Sequence, residues 1–392
     1  MVNDSGHLAI KYRPVSLDDV VGQETAVRTI RGMLRRGKFP STILIAGPWS
    51  TGKTTLARLI ALYSCCLDPT KDGEPCGKCR SCAPMLKMIR ARSEHPDVLE
   101  INAALDRGIE QIRSLQSLAQ LAPTMKYRIF ILDEAHQITD TAFKGALKLL
   151  EEPPPRTKFI LCTTNPEKLP KEIISRSQNL ILPSISPIVV AKRLFGIAKK
   201  EGLKADDKVL KKLCIELATS TGGHIRDTLG ALDNVINFVE GGGDVAKSIS
   251  AESLQDLIEK ATADAPYILV QKYLSALLEG HREKVFYAVK QVQNPEYFTR
   301  SVLEAWQQIM YRWISQSLVD KDRFWTLKNI KGIPNQEFGR ALLDDTTDVE
   351  DILETMTSAL ERIKGYTTDP VTVLHIATLR CLRIMDKWYS KK

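Results

Sequence analysis

Eight residues, "GPWSTGKT" from Gly47 to Thr54, follow the spacing G-x-x-x-x-G-K-[ST], which suits the holding of phosphate. Glycines let the backbone turn so that its N–H groups face phosphate oxygens, and a helix beginning near Lys53 adds the positive end of its dipole. Lys53 then meets the β and γ phosphates of a nucleotide, and the Thr54 hydroxyl takes a Mg²⁺ position. Gly47, Ser50, Thr51, Gly52 and Thr55 complete the cradle. Downstream, "RIFILDEAH" carries Asp133 and Glu134 out of an apolar run. Asp133 suits the Mg²⁺ shell, and Glu134 is placed to polarise a water for in-line attack on the γ-phosphate. A third stretch, "KFILCTTNP", ends in Thr163, Thr164 and Asn165; Thr164 is the candidate to position that water or sense the γ-phosphate. The chemistry these residue types support is hydrolysis of a nucleoside triphosphate.

A second cluster suggests a metal. Five of the eight cysteines lie between Cys65 and Cys82. Cys76, Cys79 and Cys82 have C-x2-C-x2-C spacing, with Cys66 upstream. Four thiolates close a tetrahedral structural Zn²⁺ site that leaves no open position for chemistry. Cys65 is an alternative fourth ligand. An iron–sulfur run of the ferredoxin type places its fourth Cys where Leu86 stands and follows it with Pro; this chain has neither. Unligated reduced thiols are the remaining reading. Cys162, Cys214 and Cys381 read as ordinary buried residues.

These residues need a scaffold. "TILIA", "DVLEI", "RIFIL", "KFILC" and "NLIL" are apolar runs of strand length, alternating with helical stretches. Such alternation predicts a parallel α/β sheet with helices on both faces, its ligands bound at the C-terminal ends of the strands. "LPSISP" ends the pattern, with Pro187 suited to a helix's first turn. The rest reads as helices, interrupted by the linker-like "EGGGD" from Glu240 to Asp244. Expected domains are therefore an α/β domain over 1–182 carrying the cysteine module at 65–82, a small helical lid over 183–241, and a larger helical domain over 242–392. In the last, Trp306, Ile309, Met310 and Trp313 recur at helical spacing and read as core.

Composition constrains the partners only loosely. The chain has 392 residues with 55 Lys and Arg against 47 Asp and Glu, a net charge of +8. That excess is compatible with a polyanion without indicating one. No apolar run is long enough to span a bilayer, and the N-terminus lacks a basic start with an apolar core, so a soluble, cytoplasmic protein without a membrane partner is expected.

With these motifs in order, the chain resembles the clamp-loader ATPases of the AAA+ superfamily over most of its first 240 residues. "KYRPVSLDDVVGQE" looks like that family's N-terminal segment, "CGKCRSC" its zinc module, "LKLLEEPP" the helix after the acidic strand, "LPKEIISRSQ" its Ser-Arg-Cys segment and "TGGHIRDTLGALD" its second-sensor helix. The resemblance implies an AAA+ core, a helical lid and an oligomerising collar. It implies an ATPase with ATP, Mg²⁺ and Zn²⁺ as cofactors, part of a DNA polymerase holoenzyme. With other clamp-loader subunits it would form a hetero-oligomeric pentameric ring that places a sliding clamp on primer–template DNA. An AAA+ remodeller or DNA branch-migration ATPase built on the same core is the alternative.

Residue roles carried by the resemblance follow. Tyr12, Arg13, Val20 and Val21 would line the adenine pocket. Arg176 would reach the γ-phosphate of a neighbouring subunit, whereas Arg226 would fold over its own nucleotide. In "EINAALDRGIEQIRSL", Asn102 would sit near the nucleotide, while Arg107, Gly108 and Ile109 would meet DNA phosphates at a helix start. Trp49 and Ser50 replace small residues usual in the family's phosphate loop, a departure that bears on nucleotide affinity without fixing its direction. Ser177 stands where the family has Cys. The chain stops at "KWYSKK", so a short, tail-less form is expected, and tail-borne contacts to a polymerase or helicase do not carry over.

Overall fold

The computed structural model of the chain describes residues 8–37, 39–91, 93–103, 108–241, 266–292, 347–364 and 369–391, with scattered positions from 295 to 309. Two units divide between Ile185 and Ser186.

In the first unit all five apolar runs form strands: β1 Thr42–Ala46, β2 Val98–Asn102, β3 Arg128–Asp133, β4 Thr157–Thr163 and β5 Gln178–Ile181. They pair in parallel in the order β2-β3-β4-β1-β5. Successive side chains of a strand point to opposite faces, and both faces are apolar. Ile43, Ile45, Ile129, Ile131 and Ile160 pack against α2 (Glu24–Arg35), α3 (Lys53–Cys65) and α4 (Cys82–Ala91). Leu44, Phe130, Leu132, Phe159 and Leu161 pack against α5 (Ile109–Ala119), α6 (Asp140–Glu151) and α7 (Lys171–Arg176). A short helix, α1 (Leu8–Lys11), precedes them. Burial on both faces explains why the three inner strands β3, β4 and β1 read as near-continuous apolar runs, whereas the edge strands β2 and β5 carry exposed polar residues.

This strand order puts β4 between β1 and β3. The loop after β1, the acids after β3 and the threonines after β4 therefore leave the same sheet edge side by side.

In the second unit, α8 (Pro187–Lys200) has Pro187 as its first residue, and α9 (Asp207–Ser220) is capped by Asp206, which accepts the Lys208 N–H at 2.7 Å. Helix α10 (Ile225–Gly241) packs against both. Further helices are α11 (Pro266–Glu279), α12 (Arg282–Lys290), α13 (Thr347–Lys364) and α14 (Pro370–Lys391). Their core includes Tyr273, Leu277, Val289, Met356, Leu374 and Cys381, with Trp306 and Ile309 fully buried among them. Met310, Trp313 and most of the glycine run lie outside the described residues.

Candidate functional site

The phosphate loop begins where β1 ends. The Gly47 N–H donates to Thr163 O at 3.1 Å, holding the start of the loop on the sheet. A Cβ on Gly47 would stand 2.3 Å from the Leu182 carbonyl oxygen, so the backbone approach excludes any larger residue. Gly47→Ala is expected to force the loop from the sheet, destabilising the protein by about 1–3 kcal/mol and weakening nucleotide binding. A melting curve with a fluorescent-nucleotide titration checks both. Ser50 has φ 62° and Gly52 φ 92°, the left-handed backbone by which the chain turns into α3. Trp49 is 46% exposed, so its bulk points out of the loop's own packing.

Lys53 is buried at the first position of α3, and its Nζ donates to Gly47 O and Pro48 O, each at 2.9 Å. The loop thus curls around its own ammonium group. No side chain caps the start of α3, leaving first-turn N–H groups and the helix dipole for an anion. One residue on, Thr54 Oγ1 donates to Asp133 Oδ2 at 2.7 Å. Both oxygens expected around Mg²⁺ are therefore in contact, 79 residues apart in sequence. Thr55 follows on α3, half-buried.

Glu134 has φ 51° and ψ 44°, and its N–H donates to Asp133 Oδ1 at 3.1 Å. A left-handed non-glycine residue costs of order 1 kcal/mol or more and persists where its surroundings enforce it. Here the turn sends two adjacent carboxylates to different partners, Asp133 to Thr54 and Glu134 toward Thr164 Oγ1, 3.4 Å from Oε2, whose single proton also faces Asn165 Oδ1 at 3.0 Å.

Other expected site residues stand on other elements. Arg176 ends α7, 60% exposed, with Nη1 3.4 Å from Glu151 Oε2. Ile43 pairs with Gln178 and Ala46 with Ile181. Arg176 therefore precedes the N-terminal end of β5, whereas the phosphate loop leaves the C-terminal end of β1, roughly 13 Å along the strand direction. Arg226 lies in the first turn of α10, in the second unit. Gly108 is the exposed N-cap of α5 and Ile109 its first residue; Arg107 lies outside the described residues.

The N-terminal segment runs along the first unit with Tyr12, Arg13, Val20 and Val21 all half-buried. Arg13 Nη1 donates to Ile89 O at 3.4 Å on α4, and Val20 packs on the core. Sequence reasoning did not single out Gln23, which is buried just before α2 and donates to Thr51 O at 3.5 Å and Pro183 O at 2.9 Å. Its place in the quoted "VVGQE" was the available signal.

The cysteine module closes as a donor set. The Sγ atoms of Cys66, Cys76, Cys79 and Cys82 all lie within 4.8 Å of one another. Zn–S bonds of about 2.3 Å in a tetrahedron require S···S spacings of about 3.8 Å, so the four fit one metal. Cys65 faces away, buried, with Sγ donating to Tyr127 O at 3.7 Å; of the two candidate fourth ligands, Cys66 is the one gathered. Burial pushes the Cys79 thiol up, but N–H groups from Leu67, Cys82 and Ser81 outweigh it and bring it down to about 6. Burial raises Cys66 and Cys82, and a cation among the sulfurs offsets that cost. Within the module's loop, Glu74 accepts from the Tyr63 hydroxyl and pairs with Arg31 at 3.2 Å. Tyr63 in turn accepts the Leu17 N–H at 3.0 Å, and Arg31 reaches Asp18 at 2.8 Å. The module is thereby tied to the N-terminal segment.

Residues 22–186 match the family described as "DNA polymerase III, delta subunit". The DNA polymerase III subunit tau of Bacillus subtilis (strain 168) is 35% identical over 237 residues, 60% of this chain and 40% of that protein. The gamma/tau subunit of Mycoplasma genitalium is 34% identical over 266 residues, 68% and 42% respectively. For the gamma subunit of Buchnera aphidicola the figures are 34% over 235 residues, 60% and 62%. The chain thus spans less than two thirds of the length of these relatives. Among solved structures, the RuvB Holliday junction branch migration motor of Thermotoga maritima aligns at 17% identity and TM-score 0.48, over 68% of this chain and 80% of that one. The Bacillus subtilis DNA clamp loader delta protein aligns at 11% and 0.34, over 91% and 99%.

Proposed function

We propose, since the chain is a gamma/tau-like clamp-loader protein, that it is an ATPase motor subunit that loads a sliding clamp onto primer–template DNA during replication. One observation carries the catalytic half of this reading: the Thr54–Asp133 contact of 2.7 Å, with Glu134 and Thr164 beside it, at the sheet edge where the phosphate loop begins.

In this reading Lys53 and the loop N–H groups bind the β and γ phosphates, while Tyr12, Arg13, Val20 and Val21 surround the adenine. Thr54 and Asp133 hold Mg²⁺, which neutralises charge on the phosphates. Glu134 takes a proton from the attacking water, and Thr164 keeps the carboxylate turned toward it. Arg226 senses its own chain's nucleotide, and Arg176 serves the next subunit. The position of Arg176 at the opposite sheet edge from its own phosphate loop supports that division.

The assembly is proposed to be a pentameric ring with other clamp-loader subunits, working in the cytoplasm. Its collar is residues 242–392 and its lid 183–241. Among the described residues no helix is long and apolar enough to cross a membrane. Arg107, with the α5 start at Gly108 and Ile109, is proposed to hold DNA by its phosphates, so binding should weaken with salt and ignore sequence. The test combines the chain with candidate partner subunits and clamp: clamp retained on primed circular DNA only with ATP is expected, and equal retention without hydrolysable nucleotide would refute the motor role.

The cysteine module is proposed to hold one structural zinc. Elemental analysis should find about one zinc per chain, and stripping it with a chelator should lower the melting temperature. Zinc retained at full stoichiometry after joint replacement of Cys76, Cys79 and Cys82 would place the metal elsewhere.

A further inference from the structure

His136 belongs to none of the roles above. It stands two residues after Glu134 in a single 3-10 turn, Ala135–Gln137, with 7% of its side chain exposed. Its Nδ1 lies 3.0 Å from Thr163 Oγ1 and 3.4 Å from Glu134 Oε2, and its Nε2 lies 3.0 Å from Gln137 Nε2. An amide nitrogen only donates, so His136 Nε2 accepts and the neutral ring carries its proton on Nδ1. That proton faces the Thr163 hydroxyl, with the Glu134 carboxylate beside it.

Thr163 is the last residue of β4, and its Oγ1 also accepts the Asn165 N–H at 3.0 Å. Glu134 Oε2 is thus flanked by His136 and by Thr164. The left-handed backbone at Glu134 aims its side chain away from the path an ordinary strand end would give. Neighbours must therefore hold the carboxylate in place.

We propose that His136 is a positioning residue for hydrolysis: its Nδ1–H is anchored on Thr163 Oγ1 at the end of β4, and the ring so held, with Nδ1 3.4 Å from Glu134 Oε2, keeps that carboxylate in one orientation toward the attacking water. This rests on the reading of Glu134 as the group that activates that water. Displacing a reacting group by about 1 Å can cost 10²-fold in rate without touching binding.

The test compares full-length His136→Leu, His136→Asn and Glu134→Gln in the assembled complex, by steady-state ATPase and by titration of a fluorescent ATP analogue. Asn keeps an N–H donor near the position of Nδ1, whereas Leu keeps only bulk. His136→Leu is expected to lower kcat roughly 10- to 100-fold with KM and analogue affinity within about twofold of the parent. His136→Asn should recover most of kcat. The inference is overturned if Leu retains the parent kcat, if Asn is as slow as Leu, or if both variants lose nucleotide affinity and melt early, the marks of a packing role. Glu134→Gln separates the two readings. Parent-rate hydrolysis by that variant removes the premise, whereas an inactive Gln variant beside a normal Leu variant refutes His136 alone.

Discussion

Arg176→Ala is expected to leave ATP binding by the isolated chain nearly unchanged and to remove about 10³-fold or more of the ATPase of the assembled complex. The expectation rests on where the residue lies. Arg176 precedes the N-terminal end of β5, and the phosphate loop leaves the C-terminal end of its neighbour β1, so this guanidinium is remote from its own chain's γ-phosphate site. An arginine supplied by another subunit stabilises charge on the transferred phosphoryl group and makes hydrolysis depend on assembly. Glu151, half-buried, holds it at 3.4 Å, but the arginine itself is 60% exposed, so the pair is screened by solvent and contributes little to stability. Mixing supplies the decisive measurement. A subunit carrying Arg176→Ala and one carrying Lys53→Ala should together recover hydrolysis, at the interface where an intact Arg176 faces an intact Lys53. Native mass spectrometry showing mixed assemblies that hydrolyse no ATP would rule out action across the interface.

Glu134→Gln is expected to bind ATP as the parent does and to hydrolyse it about 10²- to 10⁴-fold more slowly. The amide keeps the shape of the side chain and an oxygen for the Thr164 hydroxyl, 3.4 Å away in the parent, but cannot take a proton from water. Lys53→Ala should behave differently, losing charge that faces the phosphates and so weakening binding itself. The variant with Gln should accumulate the complex on DNA with ATP bound, measurable as slowed release of labelled clamp. Hydrolysis at the parent rate would show that another group activates the water.

The sheet was legible because burial on both faces leaves the inner strands β1, β3 and β4 near-continuous apolar runs ending in polar residues. The phosphate loop and the Asp133–Glu134 pair were legible because their spacing is local. His136 and Gln23 were missed for the opposite reason. Gln23 meets Thr51 and Pro183, 28 and 160 residues away, and His136 meets Thr163, 27 away. Those contacts are created by strand order, and no short pattern encodes them. Cys65 and Cys66 could not be told apart because both have the same chemistry. The difference is set by where α3 ends: Cys65 is its last residue and faces the core, while Cys66 leaves the helix with ψ 132° and turns toward the other three sulfurs. The Tyr63–Glu74–Arg31 cluster was equally hidden, since its members are ordinary surface types until the cysteine loop folds over α3.

Trp49, exposed in the phosphate loop, also makes the site an optical reporter. The chain has five tryptophans, and Trp306 is fully buried. An indole in solvent emits at longer wavelength than one shielded by a neighbour, so contact of Trp49 with nucleotide or with an adjoining subunit would register as a change in intrinsic fluorescence without any attached dye. A Trp49→Phe chain supplies the blank. Stopped-flow traces of the two would time the filling of the phosphate loop separately from the hydrolysis that follows it.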